Sequence, residues 1–431
     1  MVSVLASVAE LDFSRYLRAG DAILWAQACA EPRTLVEHLL AQQAAEGQAV
    51  AGLRAFIGVP AAGTISPRHA QQLELTSYTG AGGNAALHAA GALDILPAPY
   101  SSFPELIRRG TIGADVVLVQ LSPPDASGRH SLGIARDYLV AGLSRARVII
   151  GEVSPLVPWT GGGPTLAASE LAALVPSRYP PAEVMTPPPT AVQQAIAANV
   201  AGLIEDGATL QFGIGSLPEA VLRELSGRRH LGVHSGLLPD PLVDLMESGV
   251  VTGERKSLDR GLAVGGMLHG SRRLFDYAHR NERIRLRETD YTHAPGVLAA
   301  QDRFVALNAA IEVDLSGQVN AEVARGRYIG AVGGAGDFLR GAARSRGGIP
   351  VVMLPARAGA ASRIVARLSG PVSTARSDTG VVVTEHGVAD LRGLSLRQRA
   401  ERMIAIAAPE DRAGLDQAAE AVLAAASESG T

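Results

Sequence analysis

The sequence holds one cysteine and one lysine among its 431 residues, few aromatic side chains and no long apolar run. A lone cysteine, Cys29, excludes an internal disulfide and fits a reducing, cytoplasmic setting. Its thiol is expected to be buried. Basic charge is carried by arginine everywhere except Lys256, which reads as coding bias, and the arginines are scattered. With a net charge of −3, this pattern argues against nucleic acid as a partner. No segment reaches the length of a membrane span, and the opening MVSVLASVAELDFSRYL lacks a basic region, so neither membrane nor leader is expected. The ten histidines show no cysteine-flanked spacing, so no metal site is expected. Aromatics make up only 4%, which leaves the core to Ala, Val, Leu and Ile.

What is present describes a well-packed globular α/β protein. Hydrophobic residues reach 47% against 19% charged, and the length suits two domains. The periodicity predicts a helix over Pro32 to Gln43, a strand over Leu53 to Val59 and a helix over Gly83 to Ala90. Buried strands follow at Asp115 to Leu121 and Ala146 to Val153, with a helix over Arg136 to Leu143 between them. Strands alternating with helices imply a mainly parallel sheet covered on both faces. Proline then crowds the stretch Pro176 to Pro189 (PSRYPPAEVMTPPP), where neither helix nor central strand can persist. The domain boundary is placed there, giving domains 1–180 and 181–431. One echo links them: a strand, a bend with Asp125 and Gly128 and a return strand, repeated around Asp314, Ser316 and Gly317.

The second domain carries the most informative run, GATLQFGIGSLPEAVLREL from Gly207. A strand from Ala208 to Phe212 meets the turn Gly213-Ile214-Gly215, and Ser216 is positioned to cap the helix that Pro218 and Glu219 open. Strand, glycine turn and helix N-terminus make a cradle for an anion or pyrophosphate, or else a site of tight helix-on-sheet packing. A second strand, Leu231 to Ser235, follows. Gly330 to Arg340 (GAVGGAGDFLR) repeats the logic, with a helix beginning near Asp337. The strand from Thr379 ends at Glu385, placed either for site work or for an ion pair with Arg392. From Leu396 the tail is helical and alanine-rich, fraying at ESGT.

Five stretches in order carry a family resemblance: DVVLVQLSPPDASGRHSLG, LQFGIGSLPEAVL, NAAIEVDLSGQVNAE, VGGAGDFLRGAARSRGG and VVTEHGVADLRG. The chain resembles the acetyl-CoA hydrolase/transferase family of class I CoA-transferases, in the manner of the 4-hydroxybutyrate CoA-transferases. The resemblance implies two similar three-layer α/β domains of the NagB/RpiA-like type and a homodimer as the usual assembly. It also implies a CoA thioester as substrate rather than as a bound cofactor, with a small acceptor. Carried over residue by residue, Gln211, Gly213, Ile214, Gly215 and Ser216 match the CoA-contacting turn. Gly330, Gly333 and Gly334 match a second turn that offers N–H groups to the thioester oxygen. Asn308 matches the strand bordering the CoA channel, and Glu385 an acid lining the active site.

Two departures stand out. The family places a glutamate nucleophile after its Gly-x-His-Thr/Ser segment, forming an acyl anhydride and then a glutamyl-CoA thioester. Here Gly232-Val233-His234-Ser235 is followed by Gly236, which has no nucleophile. Where the family reads Asp-Tyr-x-Asn, this chain reads Asp290-Tyr291-Thr292-His293, so an amide has become an imidazole. The reading that follows is hydrolysis or direct acyl transfer from CoA or an acyl carrier, with His293 as general base. Ser235 is a further nucleophile candidate, although strand alternation turns it away from His234 and Gly236. His234 is read as packing. The alternatives are a carboxylate CoA-transferase using Glu385 or Glu312, and a silent CoA-binding protein.

Overall fold

The computed structural model describes residues 3–45 and 49–428, so the last three residues of the ESGT tail lie outside the described residues. Two compact units emerge. The first is built on eight parallel strands in the order Ser3–Val4, Ala173–Pro176, Val148–Val153, Val116–Leu121, Ala22–Trp25, Arg54–Ile57, Glu74–Ser77 and Asp94–Ile95. Every residue of Val116–Leu121 is buried, as expected of a central parallel strand covered on both faces. Helix Arg33–Ala44 lays Leu35, Val36, Leu39 and Leu40 into the same core, a helical spacing of apolar positions. Burying each such side chain contributes about 1.5–3 kcal/mol. This cluster is aliphatic apart from Phe13 and Trp25, whereas Phe56, Tyr78, Tyr100, Phe103 and Tyr138 pack together as a separate buried aromatic group in the same unit.

In the second unit, Gly232–His234, Thr209–Phe212, Phe304–Ala309, Ile349–Met353 and Val381–Thr384 run parallel, and Gly387–Asp390 returns antiparallel. The chain leaves Thr209–Phe212 toward Gly232–His234 on one side, and Phe304–Ala309 lies on the other. The strand order therefore reverses between Thr209–Phe212 and Phe304–Ala309. Such a switch point opens a crevice at the carboxyl ends of the strands, where α/β proteins bind ligands.

The boundary differs from two contiguous halves. The first unit comprises Met1–Met185 together with Gly236–Asp240 and Leu262–Thr292, and the second holds the remainder. The backbone ladder explains this. Leu237–Pro239 pairs with Met267–His269, the Leu268 N–H donates to the Ile134 carbonyl, and the Arg136 N–H donates to the Gly266 carbonyl. Proline ends the first run of chain, yet these later strands complete its unit.

The helix expected over Arg136 to Leu143 begins instead at Leu139 and runs to Arg145. Asp137 adopts a left-handed φ of 23°, and its carboxylate accepts the Leu139 N–H at 3.0 Å, starting the helix later than periodicity suggests. Likewise Ser216 is the first residue of helix Ser216–Glu224 rather than its cap. Gly215 holds the cap position at φ 115°, and the Ser216 hydroxyl accepts from the Gln193 amide at 2.7 Å.

The echo between the two domains is a real structural repeat. Asp125 accepts the N–H groups of Ser127 and Arg129 and the Ser127 hydroxyl, while its own N–H donates to the Arg129 carbonyl. Asp314 does the same with Ser316 and Gln318. Gly128 and Gly317 supply the positive φ that closes each turn. The return strands differ: Val319–Asn320 pairs with Glu312–Asp314, whereas Arg129–Ser131 pairs with Thr165–Ala167.

Candidate active site

The switch point of the second unit carries the first group of expected residues. Gln211 and Asn308 end facing one another and exchange amide hydrogen bonds at 3.0 and 3.3 Å, both buried. The Gly213 N–H donates to the Leu307 carbonyl at 2.9 Å, which ties the turn to the neighbouring strand. No atom lies within 4 Å of where a Cβ would stand on Gly215, and Ile214 beside it is exposed. The turn is open to a ligand, and the first N–H groups of the following helix have no intrahelical partner. Glu219, in that helix's first turn, accepts the Thr186 hydroxyl at 2.6 Å.

A second group gathers around helix Ala335–Arg344. Gly333 has φ 53° with open space at its Cβ position, so it is shaped like Gly215. Gly334 is different: a Cβ there would lie 2.7 Å from His293 Nε2 and 3.1 Å from Phe338. The His293 ring therefore rests directly on Gly334, its centroid 4.5 Å from that of the Phe338 ring and tilted 48° to it. Phe304 lies 6.5 Å from both the Phe338 and the His234 rings. Gly330 serves another purpose, because a Cβ would stand 2.0 Å from the Ala321 carbonyl oxygen. Its bareness admits neighbouring backbone, and its N–H donates to the Glu322 carbonyl.

Burial, reinforced by His234, pushes the His293 imidazole down to about 3. It is neutral throughout the physiological range. Ser235 lies buried at the strand end, its hydroxyl donating to the Phe212 carbonyl at 3.2 Å and accepting the Phe212 N–H at 3.4 Å. That hydroxyl extends the sheet ladder. His230, four residues before His234, points elsewhere and pairs with Glu254 at 3.2 Å. Among the described residues no cluster of three or more His, Cys, Asp or Glu side chains could hold a metal.

The acids have settled partners. Glu385 accepts the Ala356 N–H at 2.8 Å, with His386 at 3.9 Å, so it spans from its own strand to the end of the adjacent one. Arg392 pairs with Asp390 at 2.7 Å instead of with Glu385. Glu312 accepts from Asn320, the Ser369 N–H and hydroxyl, and the Gly370 N–H, which commits its carboxylate to a loop.

In the first unit, the Gly236 carbonyl accepts the Gly266 N–H at 3.0 Å, and a Cβ on Gly266 would strike that carbonyl at 2.8 Å. The same virtual Cβ lies 3.7 Å from Asp137 Cβ. Asp137 is thus the acid that neighbours this strand, and sequence patterning did not single it out. Its carboxylate accepts from Leu139, Gln27 and Tyr100, and burial pushes its acidity toward the neutral form. Cys29 is buried, its thiol pushed up to about 11.

Two units of this fold, with glycine turns at the strand ends of the second, suit an α/β protein of the CoA-transferase type. The acetyl-CoA hydrolase/transferase N-terminal domain matches residues 5–173 and the corresponding C-terminal domain residues 270–419. The chain belongs to the acetyl-CoA hydrolase/transferase family. It is 37% identical over 329 residues to the 4-hydroxybutyrate coenzyme A transferase of Clostridium kluyveri, covering 75% of this chain and 77% of that one. The structure of RipA from Yersinia pestis superposes with a TM-score of 0.91 at 33% identity, covering 97% of each chain. A 4-hydroxybutyrate CoA-transferase from Porphyromonas gingivalis gives 0.79 at 32% identity, covering 96% of each. The family supports an enzyme acting on acyl-CoA as transferase or hydrolase.

Proposed function

We propose that this chain processes an acyl-CoA, or the same pantetheine thioester on a carrier, without a glutamyl-CoA intermediate. It acts as a hydrolase or as a direct acyltransferase to a small acceptor. The observation that carries the reading is that position 236, where the family resemblance places the nucleophile, is a glycine. Glu312 is wrapped by loop donors, and burial shifts Asp137 toward the neutral form against the hydrogen bonds it accepts.

In the proposed reaction, water or the acceptor attacks the thioester carbonyl and its electron pair forms the new acyl bond. The C–S bond breaks, CoA leaves as thiolate, and the proton lost by the attacking group ends on that sulfur. Backbone N–H groups at the open turns of Gly215 and Gly333 stabilise the oxyanion. His293 was expected to act as a general base. An imidazole held at about 3 is too weak a base to accumulate a proton at neutral pH, so His293 enters this mechanism as a neutral hydrogen-bonding group. The thiolate, with an ordinary thiol acidity of roughly 8.5, needs no strong acid to leave. A homodimer is proposed as the working assembly, checked by light scattering.

The test incubates the protein with an acyl-CoA and an isotopically labelled free carboxylate. Free thiol released without label entering acyl-CoA is the expected result. Label exchange together with a CoA adduct on the intact protein would instead assign the chemistry to a carboxylate such as Glu385, and binding without turnover would make the protein a silent homologue. The variant Gly236→Glu restores the missing carboxylate. It is expected to gain label exchange and a CoA-sized mass adduct that the parent lacks.

A further inference from the structure

Lys256 is the only lysine in a chain that uses arginine at every other position of that charge. It is also one of the largest fully buried side chains. Its stem lies against the strand Gly232–His234 so closely that a Cβ on Gly232 would stand 2.4 Å from Lys256 Cγ. The ammonium donates to the Val233 carbonyl at 2.9 Å. That carbonyl belongs to the peptide whose N–H is His234's own, at the strand end leading through Ser235 to Gly236.

We propose that Lys256 is a positioning residue for the thioester site, its charge polarising and pinning the Val233–His234 peptide. The proposal rests on the site assignment made above. The physical case has two parts. A full charge in a low-dielectric interior acts strongly on the dipole it touches. A guanidinium, a broad planar fork of five N–H groups, does not fit the narrow slot that Gly232 leaves for a slim stem ending in an ammonium. This accounts for a lysine persisting where the chain otherwise uses arginine. Asp259 favours the ammonium, while Arg260 Nε donates to the main-chain carbonyl of Lys256. Burial outweighs Asp259 and brings the amine down to about 8.

Two variants and two readouts decide the matter. Lys256→Met keeps an apolar stem against Gly232 and removes the charge together with its hydrogen bond to the Val233 carbonyl. It is expected to lower kcat by about tenfold with KM for the thioester unchanged, the pattern of lost positioning. Lys256→Arg is expected not to rescue it. Independently of turnover, the His234 amide resonance in histidine-labelled protein should shift as pH rises through about 8 in the parent and stay fixed in Lys256→Met. Full kcat in Lys256→Met, or a His234 amide that titrates identically in both proteins, would overturn the proposal. Should the parent turn over no thioester at all, the proposed function fails, and the amide titration alone still decides the role of Lys256.

Discussion

At the scale of single residues, His293 shows how burial converts a plausible base into a different group. Its contact with Phe338 and its seat on Gly334 remove it from water, and His234 adds to the cost of protonation. The linkage has a definite sign. The folded imidazole titrates near 3 and the unfolded one near 6.5, so the unfolded chain binds the proton first. The stability tied to neutral His293 is complete above pH 6.5 and is lost as pH falls toward 3, by at most about 1.4 kcal/mol per pH unit. Urea unfolding at pH 7 and pH 5 should show a smaller difference in His293→Asn than in the parent. The identity of His293 and its departure from the family pattern were legible in the sequence. Its protonation state was not, because that depends on how completely Phe338 and Gly334, distant along the chain, enclose the ring.

At the scale of elements, the two Asp-x-Ser-Gly turns give a controlled comparison. Asp314 is buried and accepts four hydrogen bonds, including the Gln318 amide at 2.6 Å, whereas Asp125 faces solvent. Asp314→Ala should cost about 1–3 kcal/mol, since the part-buried donors of Ser316 and Gln318 lose a charged acceptor. Asp125→Ala should cost distinctly less, and chemical denaturation of the two variants checks the order. The glycine turns divide in the same way. Gly334→Ala pushes against His293 and Phe338 and should lower turnover with the rest of the fold intact. Gly330→Ala meets the Ala321 carbonyl at 2.0 Å and should lower thermal stability first. Sequence reading grouped these glycines as one cradle, because a missing side chain looks the same whether it admits a ligand or a neighbouring backbone.

For the whole molecule, the unit boundary carries its own prediction. A fragment ending at residue 185 lacks Gly236–Asp240 and Leu262–Thr292, which belong to its unit. The backbone groups of Ile134 and Arg136 would lose the partners that Leu268 and Gly266 supply. Expressed alone, residues 1–185 should unfold without a cooperative transition and bind a hydrophobic dye, whereas the full chain unfolds cooperatively. Among the described residues no helix is long and apolar enough to cross a membrane.

Apolar runs such as Val116–Leu121 and the glycine turn after Phe212 are local facts, so periodicity identified the α/β class, while the resemblance of five ordered stretches pointed to the family and implied that Gly236 stands at its nucleophile position. Long-range pairing settled the rest. It returned Leu237–Pro239 to the first unit, gave Glu312 to a loop, set the neutral state of His293 and drew Lys256 beneath the strand of His234. The physical reason is that charge state and hydrogen-bond commitment depend on which distant groups exclude water from a side chain, and no local pattern encodes that enclosure.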